Sequence, residues 1–324
     1  MSAYFLRRSA AALATVFGVL TLVFFLLRLP PGDVADLYDD PAVDAAARDA
    51  IRRAYGLDAP LPVQYALFLA SAARLDFGAS MSHHRPVSSV LADTLPATAL
   101  LAASGLALEA ALGTALALLL HKRRAAGRGR LLDAAVLAVH SVPAFWLGLV
   151  LLASLSYGLG LFPPSGTGPP GAAAVSLAER LHHLALPAVT LGIAGAPSVA
   201  RHLAASMDAV VREEYVRAAR AKGVSARGVL LRHALKPAFL PVVTEISLSL
   251  PTLVSGALVV EAVFAWPGMG RLSLAALHSR DYPLVVACTT VAALLVVAGS
   301  LLADCVHAAI DPRVRDALAS GRRP

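Results

Sequence analysis

Asparagine is absent from this chain of 324 residues, glutamine occurs once (Gln64), lysine three times and cysteine twice. Arginine outnumbers lysine 25 to 3, a coding bias without functional content. Charged side chains make up 15% of the chain and aromatics 6%. A soluble domain carries about 25% charged residues, so the shortage of charge excludes an ordinary water-soluble protein. Few aromatics, and basic residues scattered over short stretches between apolar runs, exclude a nucleic-acid footprint despite the net charge of +7. Cys288 and Cys305 share one apolar run. On one helix they stand about 25 Å apart at 1.5 Å per residue, too far for a disulfide. None of Lys122, Lys222 and Lys236 follows a glycine, so there is no Walker A phosphate loop and no ATP site of that kind. There is no H-E-x-x-H and no serine in a G-x-S-x-G setting, so no hydrolytic centre is evident and the chain does not read as an enzyme.

What the chain has in abundance is hydrophobicity, 57% of residues. Six apolar runs approach or exceed the ~20 residues that cross a bilayer. They are Phe5–Leu29, Ala97–Leu120, Leu131–Leu155, Leu184–Ser206, Phe239–Phe264 and Pro283–Ile310. The fourth contains Pro187, Pro197 and Arg201; proline is tolerated in a span when neighbours satisfy the freed backbone groups. The first begins with Arg7 and Arg8 like a signal peptide. Its long core and the lack of a small-x-small cleavage signal mark it as an uncleaved anchor. The fold class expected is an all-α polytopic membrane protein of six transmembrane helices. With the N-terminus inside, 19 of the 28 Lys and Arg residues fall on the cytoplasmic side and nine outside. The positive-inside rule then puts both termini and residues 211–237 in the cytoplasm.

This divides the chain into an N-terminus with the first span (1–29), an external loop (30–96), a five-helix membrane domain (97–310) and a cytoplasmic tail (311–324). The external loop, too small for a domain with a large core, reads as two short helices, Asp44–Tyr55 and Leu61–Leu75. It forms a cap over the outer mouth or a dock for an outer partner. A second outer loop, 158–183, is rich in Gly and Pro and turns repeatedly. In the third, 265–282, Trp266 and Tyr282 fit interfacial anchors. The pairs His83-His84 and His182-His183 read as solvated loop residues rather than metal ligands, since adjacent side chains point apart. No metal site is expected. At membrane depth stand Glu109, His140, Arg201, Glu245, Glu261 and Asp304. Lipid exposure of each costs about 2.5–3.5 kcal/mol or more. Arg201, Glu261 and Asp304 lie near span ends and reach the headgroups. Glu109 and Glu245 sit deeper, at an interhelix seam or in a pathway.

The most informative stretch is 211–237, VREEYVRAARAKGVSARGVLLRHALKP. Nine of its residues are fully ionised and His233 partly so, which excludes it from lipid. Ala218, Ala219 and Ala221 favour a helix over Glu213–Ala221. Val211, Tyr215, Ala218 and Ala219 share one face. Gly223 supplies a left-handed stop, and Ser225 caps a second helix. A short helix with a small-residue face fits a groove on a soluble partner. The competing reading lays it in the headgroups, with Arg217, Arg220 and Arg227 on lipid phosphate.

This loop resembles the EAA loop of the inner-membrane permeases of binding-protein-dependent ABC importers. Arg217-Ala218-Ala219 precede Gly223 at that motif's spacing. Arg217 stands where the motif has Glu, and Lys236 where the general pattern has Pro. Both departures resemble the dipeptide/oligopeptide/nickel branch, as does Tyr215-Val216-Arg217-Ala218-Ala219-Arg220-Ala221-Lys222-Gly223 as a whole. Pro31-Gly32-Asp33, Leu57-Asp58-Ala59-Pro60, Leu75-Asp76-Phe77-Gly78, Val142-Pro143-Ala144-Phe145-Trp146, Trp266-Pro267-Gly268, Arg280-Asp281-Tyr282-Pro283 and Asp311-Pro312-Arg313 extend the likeness nearly end to end. The resemblance implies a type I importer permease fold in the inner membrane, supplying half of a pathway with a second homologous permease. Two ATP-binding cassette ATPases would hold the ATP and magnesium, and no cofactor would sit in this chain. An external binding protein would deliver substrate. Ala218, Ala219 and Gly223 would pack the coupling helix into the ATPase, with Tyr215, Arg217, Arg220 and Lys222 beside them. Peptides are the first substrate choice and nickel or another metal chelate the alternative. A membrane-embedded hydrolase would need a nucleophile and base at depth. A passive channel would conduct without ATP.

Overall fold

The computed structural model describes residues 2–28, 58–169, 175–225, 228–229, 235–239, 242–243 and 257–310. The expected helix Asp44–Tyr55, the Pro-Gly-Asp at 31–33, Glu245 and the tail 311–324 lie outside them, as do the side chains of Arg220 and Asp304. Among the described residues all regular structure is helical, apart from one antiparallel bridge between Ala79 and Pro86.

Helix α1 (Ser2–Leu26) leaves Leu13, Phe17 and Leu22 exposed, an apolar face that only hydrocarbon satisfies. Its far end is pinned by α2 (Leu61–Arg74), which begins behind Pro60 and closes on Leu75 in the left-handed conformation. Phe24 is fully buried between the Tyr65 and Phe68 rings, 5.0 and 5.2 Å away, and the Arg28 guanidinium lies 3.6 Å over it.

Helix α3 (Val87–Ala125) runs 39 residues through Pro96. At 1.5 Å per residue that is about 58 Å, longer than the ~30 Å hydrocarbon core, so it projects into water. It stops in a Schellman turn: Gly127 has φ +71, and the Arg128 amide donates to the Arg123 carbonyl at 2.9 Å. Its buried residues Leu101, Gly105, Glu109, Gly113, Ala117 and Leu120 follow a near four-residue ridge. That ridge meets α6 (Leu177–Val210), which opens with a Ser176–Glu179 capping box and continues through Pro187 and Pro197. The two backbones approach over small residues. A Cβ on Gly113 would lie 2.6 Å from Val199 Cβ, and one on Gly192 2.6 Å from Leu108 Cβ.

The expected third span, Leu131–Leu155, is not one continuous helix. It is α4 (Arg130–His140) and α5 (Ala144–Leu151, continued as a π-turn over Leu152–Gly158), bent 96°. Pro143 brings no amide and disfavours a helical Val142, so the chain stops and restarts. Four described helices are long and apolar enough to cross a bilayer, and the bent pair adds a fifth where its two halves count as one broken span. The expected span Phe239–Phe264 lies mostly outside the described residues. After a short loop helix, α7 (Glu214–Ala221), the described residues close with α8 (Met269–His278) and α9 (Tyr282–Ile310), the latter packed on α1.

The interior divides in three. Ala117, Leu120, Val136, Leu203, Met207 and Ala238 gather at the basic end of the bundle. Val87, Leu91, Leu272 and Leu284 gather at the opposite end. Leu101, Leu186, Val260 and Phe264 lie between, with α5 against them. Cys288 is buried, Cys305 exposed, and both are free thiols.

Candidate functional site

Helix α7 begins with Glu214, whose carboxylate suits the positive helix N-terminus and stands 3.6 Å from Arg217. It ends where the sequence places the stop. Gly223 has φ +82 with open space around its Cα, so handedness and not room demands glycine. The Val224 amide donates to the Ala219 carbonyl at 3.2 Å and that of Lys222 to Ala218 at 3.1 Å. Ser225 then accepts the Gly228 amide at 3.2 Å, the expected cap.

The face of α7 differs from the expected one. Val216 and Ala219 are buried, whereas Tyr215 is 49% exposed and Ala218, Arg217 and Lys222 lie on the outside. Val211 precedes the helix, so it does not share the register that aligned it with Tyr215. The helix thus offers Tyr215, Ala218 and Lys222 outward at i, i+3, i+7. Both flanks of the loop root in the same apolar cluster, through Met207 on one side and Ala238 and Val242 on the other.

Of the deep carboxylates, Glu109 is 3% exposed on the α3–α6 seam, where a Cβ on Gly195 would come 2.3 Å from its Cδ. Its surroundings are those of an interhelix group. Glu261 does not reach the headgroups: it is fully buried. Thr98 Oγ1 donates to it at 2.8 Å, and the Gly270 and Arg271 amides at 2.7 and 3.1 Å, so it caps α8. Thr98 in turn accepts the Met269 amide at 2.7 Å. Gly268 permits the approach, since a Cβ there would overlap the carboxylate. Trp266 is corrected likewise. It is 1% exposed, its Nε1 donating to Ala97 O at 2.9 Å, and is no interfacial anchor. Tyr282 is half-buried, and Arg201 and His140 are exposed.

Sequence reasoning missed Asp281. It caps α9 through the Leu284 amide and accepts the Ser80 hydroxyl at 2.5 Å and the Ser82 amide and hydroxyl at 2.9 and 2.7 Å. Burial opposes its ionisation, but these donors and the Met81 amide outweigh burial and hold the carboxyl below its ordinary value. The stability it supplies is therefore present above the ordinary aspartate pKa, about 3.9, and is lost as pH falls through the lower folded value. Amide exchange at Ser82 is expected to stay slow down to that range and to quicken below it. Asp281→Asn should quicken it already at neutral pH. The serine hydroxyls 199 to 201 residues away leave no local signal. Three of the four paired histidines are engaged: His182 Nε2 lies 2.9 Å from Leu161 O, His183 Nδ1 2.9 Å from Ser165 O, and His83 Nδ1 3.0 Å from Ser82 Oγ.

Several apolar helices long enough to cross a bilayer, with a short, charged, glycine-stopped helix in the loop after one of them, define a multi-pass membrane protein. The chain belongs to the binding-protein-dependent transport system inner membrane components, whose family profile matches residues 110–316, with the N-terminal profile of the same systems matching 1–102. It is 35% identical to the oligopeptide transport system permease protein AppB of Bacillus subtilis (97% of this chain, 99% of that one). It is 38% identical to a putative peptide permease protein of Brucella ovis (97% and 99%). Against the glutathione transport system permease protein GsiC of Escherichia coli K12 the identity is 36% (96% and 98%). A chain of the inward-facing MetNI methionine ABC transporter shares the fold, with a TM-score of 0.55 at 19% identity over 69% of this chain and 97% of that one. The protein is thus a multi-pass membrane permease component and not itself an enzyme.

Proposed function

We propose that this chain forms half of the translocation pathway of an ATP-driven peptide importer. The observation that carries this is near full-length similarity to three relatives named for oligopeptide, peptide and glutathione transport; glutathione is itself a tripeptide. A second, homologous permease completes the pathway. Two ATP-binding cassette subunits bind and hydrolyse ATP, and an external binding protein delivers the peptide. The basic end of the bundle, with both termini, faces the cytoplasm.

The loop 211–237 is then where force enters. Tyr215, Arg217, Ala218, Arg220 and Lys222 meet the ATPase. Ala218 is small enough to let the helix axis approach a groove, and the basic residues supply polar contacts around it. Ala219, being buried, packs the helix onto its own chain, and Gly223 ends it. Glu109 serves the α3–α6 seam, and Glu245 remains a pathway or seam candidate.

The test is reconstitution of the chain in liposomes with its partner permease, ATPases and binding protein. ATP-dependent uptake of labelled di- and oligopeptides is expected, competed by unlabelled peptide and not by nickel chelates. Uptake that proceeds without ATP, or that only a metal chelate competes, contradicts the proposal.

A further inference from the structure

The basic residues in the last turn of α3 and just after it form a uniform positive stretch in the sequence, yet Arg124 differs from its neighbours. Lys122, Arg123, Arg128 and Arg130 are exposed, while Arg124 is half-buried. Its guanidinium reaches carboxylates on two other helices. Nη2 donates to Asp133 Oδ1 on α4 at 2.6 Å, and Nε reaches both Asp133 oxygens at 3.2 and 3.3 Å. Nη1 donates to Asp208 Oδ2 on α6 at 3.1 Å. The second Asp208 oxygen lies 2.6 Å from Nδ1 of His121, one turn earlier on α3. Gly129 closes over the arginine, a Cβ there falling 2.6 Å from Arg124 Cγ. One fork-shaped cation therefore ties α3, α4 and α6 at a single point.

Its place in the fold gives this a purpose. Asp208 stands six residues before α7, at the root of the loop. The apolar cluster beside it holds Met207 and Ala238, the two flanks of that loop, together with Leu120 of α3 and Val136 of α4. At its other end α4 stops at the 96° bend, beyond which α5 packs with the middle cluster. A partly exposed ion pair adds little to stability, but a planar guanidinium shared between two carboxylates fixes direction as a lysine cannot.

We propose that Arg124 is a positioning residue for coupled transport: it locks α4 and the root of α6 to α3. Displacement of α7 then carries the three helices as one body, up to the bend at Ser141–Pro143. Asp208 and His121 complete the lock. The proposal rests on the reading of 211–237 as the loop through which ATP hydrolysis acts.

The experiment uses the complete importer in liposomes and reads ATP hydrolysed per peptide imported. Arg124→Gln is expected to raise that ratio roughly fivefold or more, hydrolysis continuing while uptake falls. Arg124→Lys, reaching one carboxylate at a time, should fall between. Adding Asp208→Asn to Arg124→Gln should raise the ratio no further, because both remove the same link. An unchanged ratio overturns the proposal. So does a lower amount of assembled complex whose surviving members keep the wild-type ratio, the outcome of a merely structural role. Should Arg124→Gln fail to assemble, Asp208→Asn alone decides, since it spares the Arg124–Asp133 fork: a raised ratio supports the lock, and a wild-type ratio or failed assembly counts against it. If instead the wild-type complex imports peptide without hydrolysing ATP, the reading of the loop has failed before any variant is made.

Discussion

Tryptophan in place of Ala218 is expected to cut ATP-driven peptide uptake about 100-fold while the chain still accumulates in the membrane. Ala218 lies on the outside of α7, away from the buried Val216 and Ala219. An indole there points away from the buried face of α7 among the described residues and costs the helix about 0.5 kcal/mol in propensity. Against a fitted groove the same indole is an obstruction. Disturbing a central interface residue removes about 2–4 kcal/mol of binding, which at 1.4 kcal/mol per decade is roughly 30- to 700-fold. Ala219→Trp is the informative contrast. Its site is already filled, so bulk there should displace α7 from its own chain and lower accumulation as well as uptake. Membrane immunoblots and uptake assays on the two variants separate the effects. Equal accumulation and equal uptake in both would refute the outward assignment of Ala218.

The second large effect is expected at Glu261, where alanine should destabilise the chain by about 4 kcal/mol. The carboxylate is fully buried and accepts the Thr98 hydroxyl and the amides of Gly270 and Arg271. Truncation leaves two amides and a hydroxyl in a dry site, at about 1–3 kcal/mol for each unsatisfied group, partly relieved as the helix end relaxes. Glu261→Gln keeps the volume. Its carbonyl can serve the two amides and its amino group can donate to Thr98, which then lacks an acceptor for its own proton. That cost should be about 1–2 kcal/mol. For the detergent-solubilised chain, the alanine variant should unfold about 8 °C below wild type and the glutamine variant about 3 °C below. A glutamine variant that unfolds with the wild type while the alanine variant falls would mean that Glu261 acts through bulk alone.

The legible parts of the fold were those whose cause is local. Pro60 and Pro62 open α2, and Leu75 closes it where the apolar helix pattern ends. Alanines and Gly223 set the bounds of α7. Long apolar runs became helices α1, α3, α6 and α9 because nothing but a helix satisfies its backbone within a bilayer. Prolines were less readable. Pro96, Pro187 and Pro197 lie inside continuous helices, while Pro143 begins a new one at a bend of 96°. Adjacent sequence does not separate these cases, because packed neighbours decide whether a lost amide is tolerated. The same limit hid the carboxylates with distant partners. Glu261 finds Thr98 163 residues away, and Arg124 finds Asp208 84 residues away. A carboxylate near the end of an apolar run reads as headgroup-bound until the partner is seen. Trp266 was misread for the same reason, its acceptor being the carbonyl of Ala97. The coupling face of α7 was half legible: spacing grouped Tyr215, Ala218 and Ala219, but only packing shows which of them turn inward.

The central claim is that α7 projects into the cytoplasm and is gripped there by a nucleotide-driven partner. Thiol labelling tests it most directly. The chain carries Ala218→Cys in a background with Cys288→Ala and Cys305→Ser, and is treated with a membrane-impermeant maleimide. Reaction is expected in inside-out vesicles stripped of ATPase, none in intact cells, and protection when the ATPase subunits are restored. Labelling of Ala218→Cys from the outer face, or labelling that the bound ATPase leaves undiminished, would contradict the account.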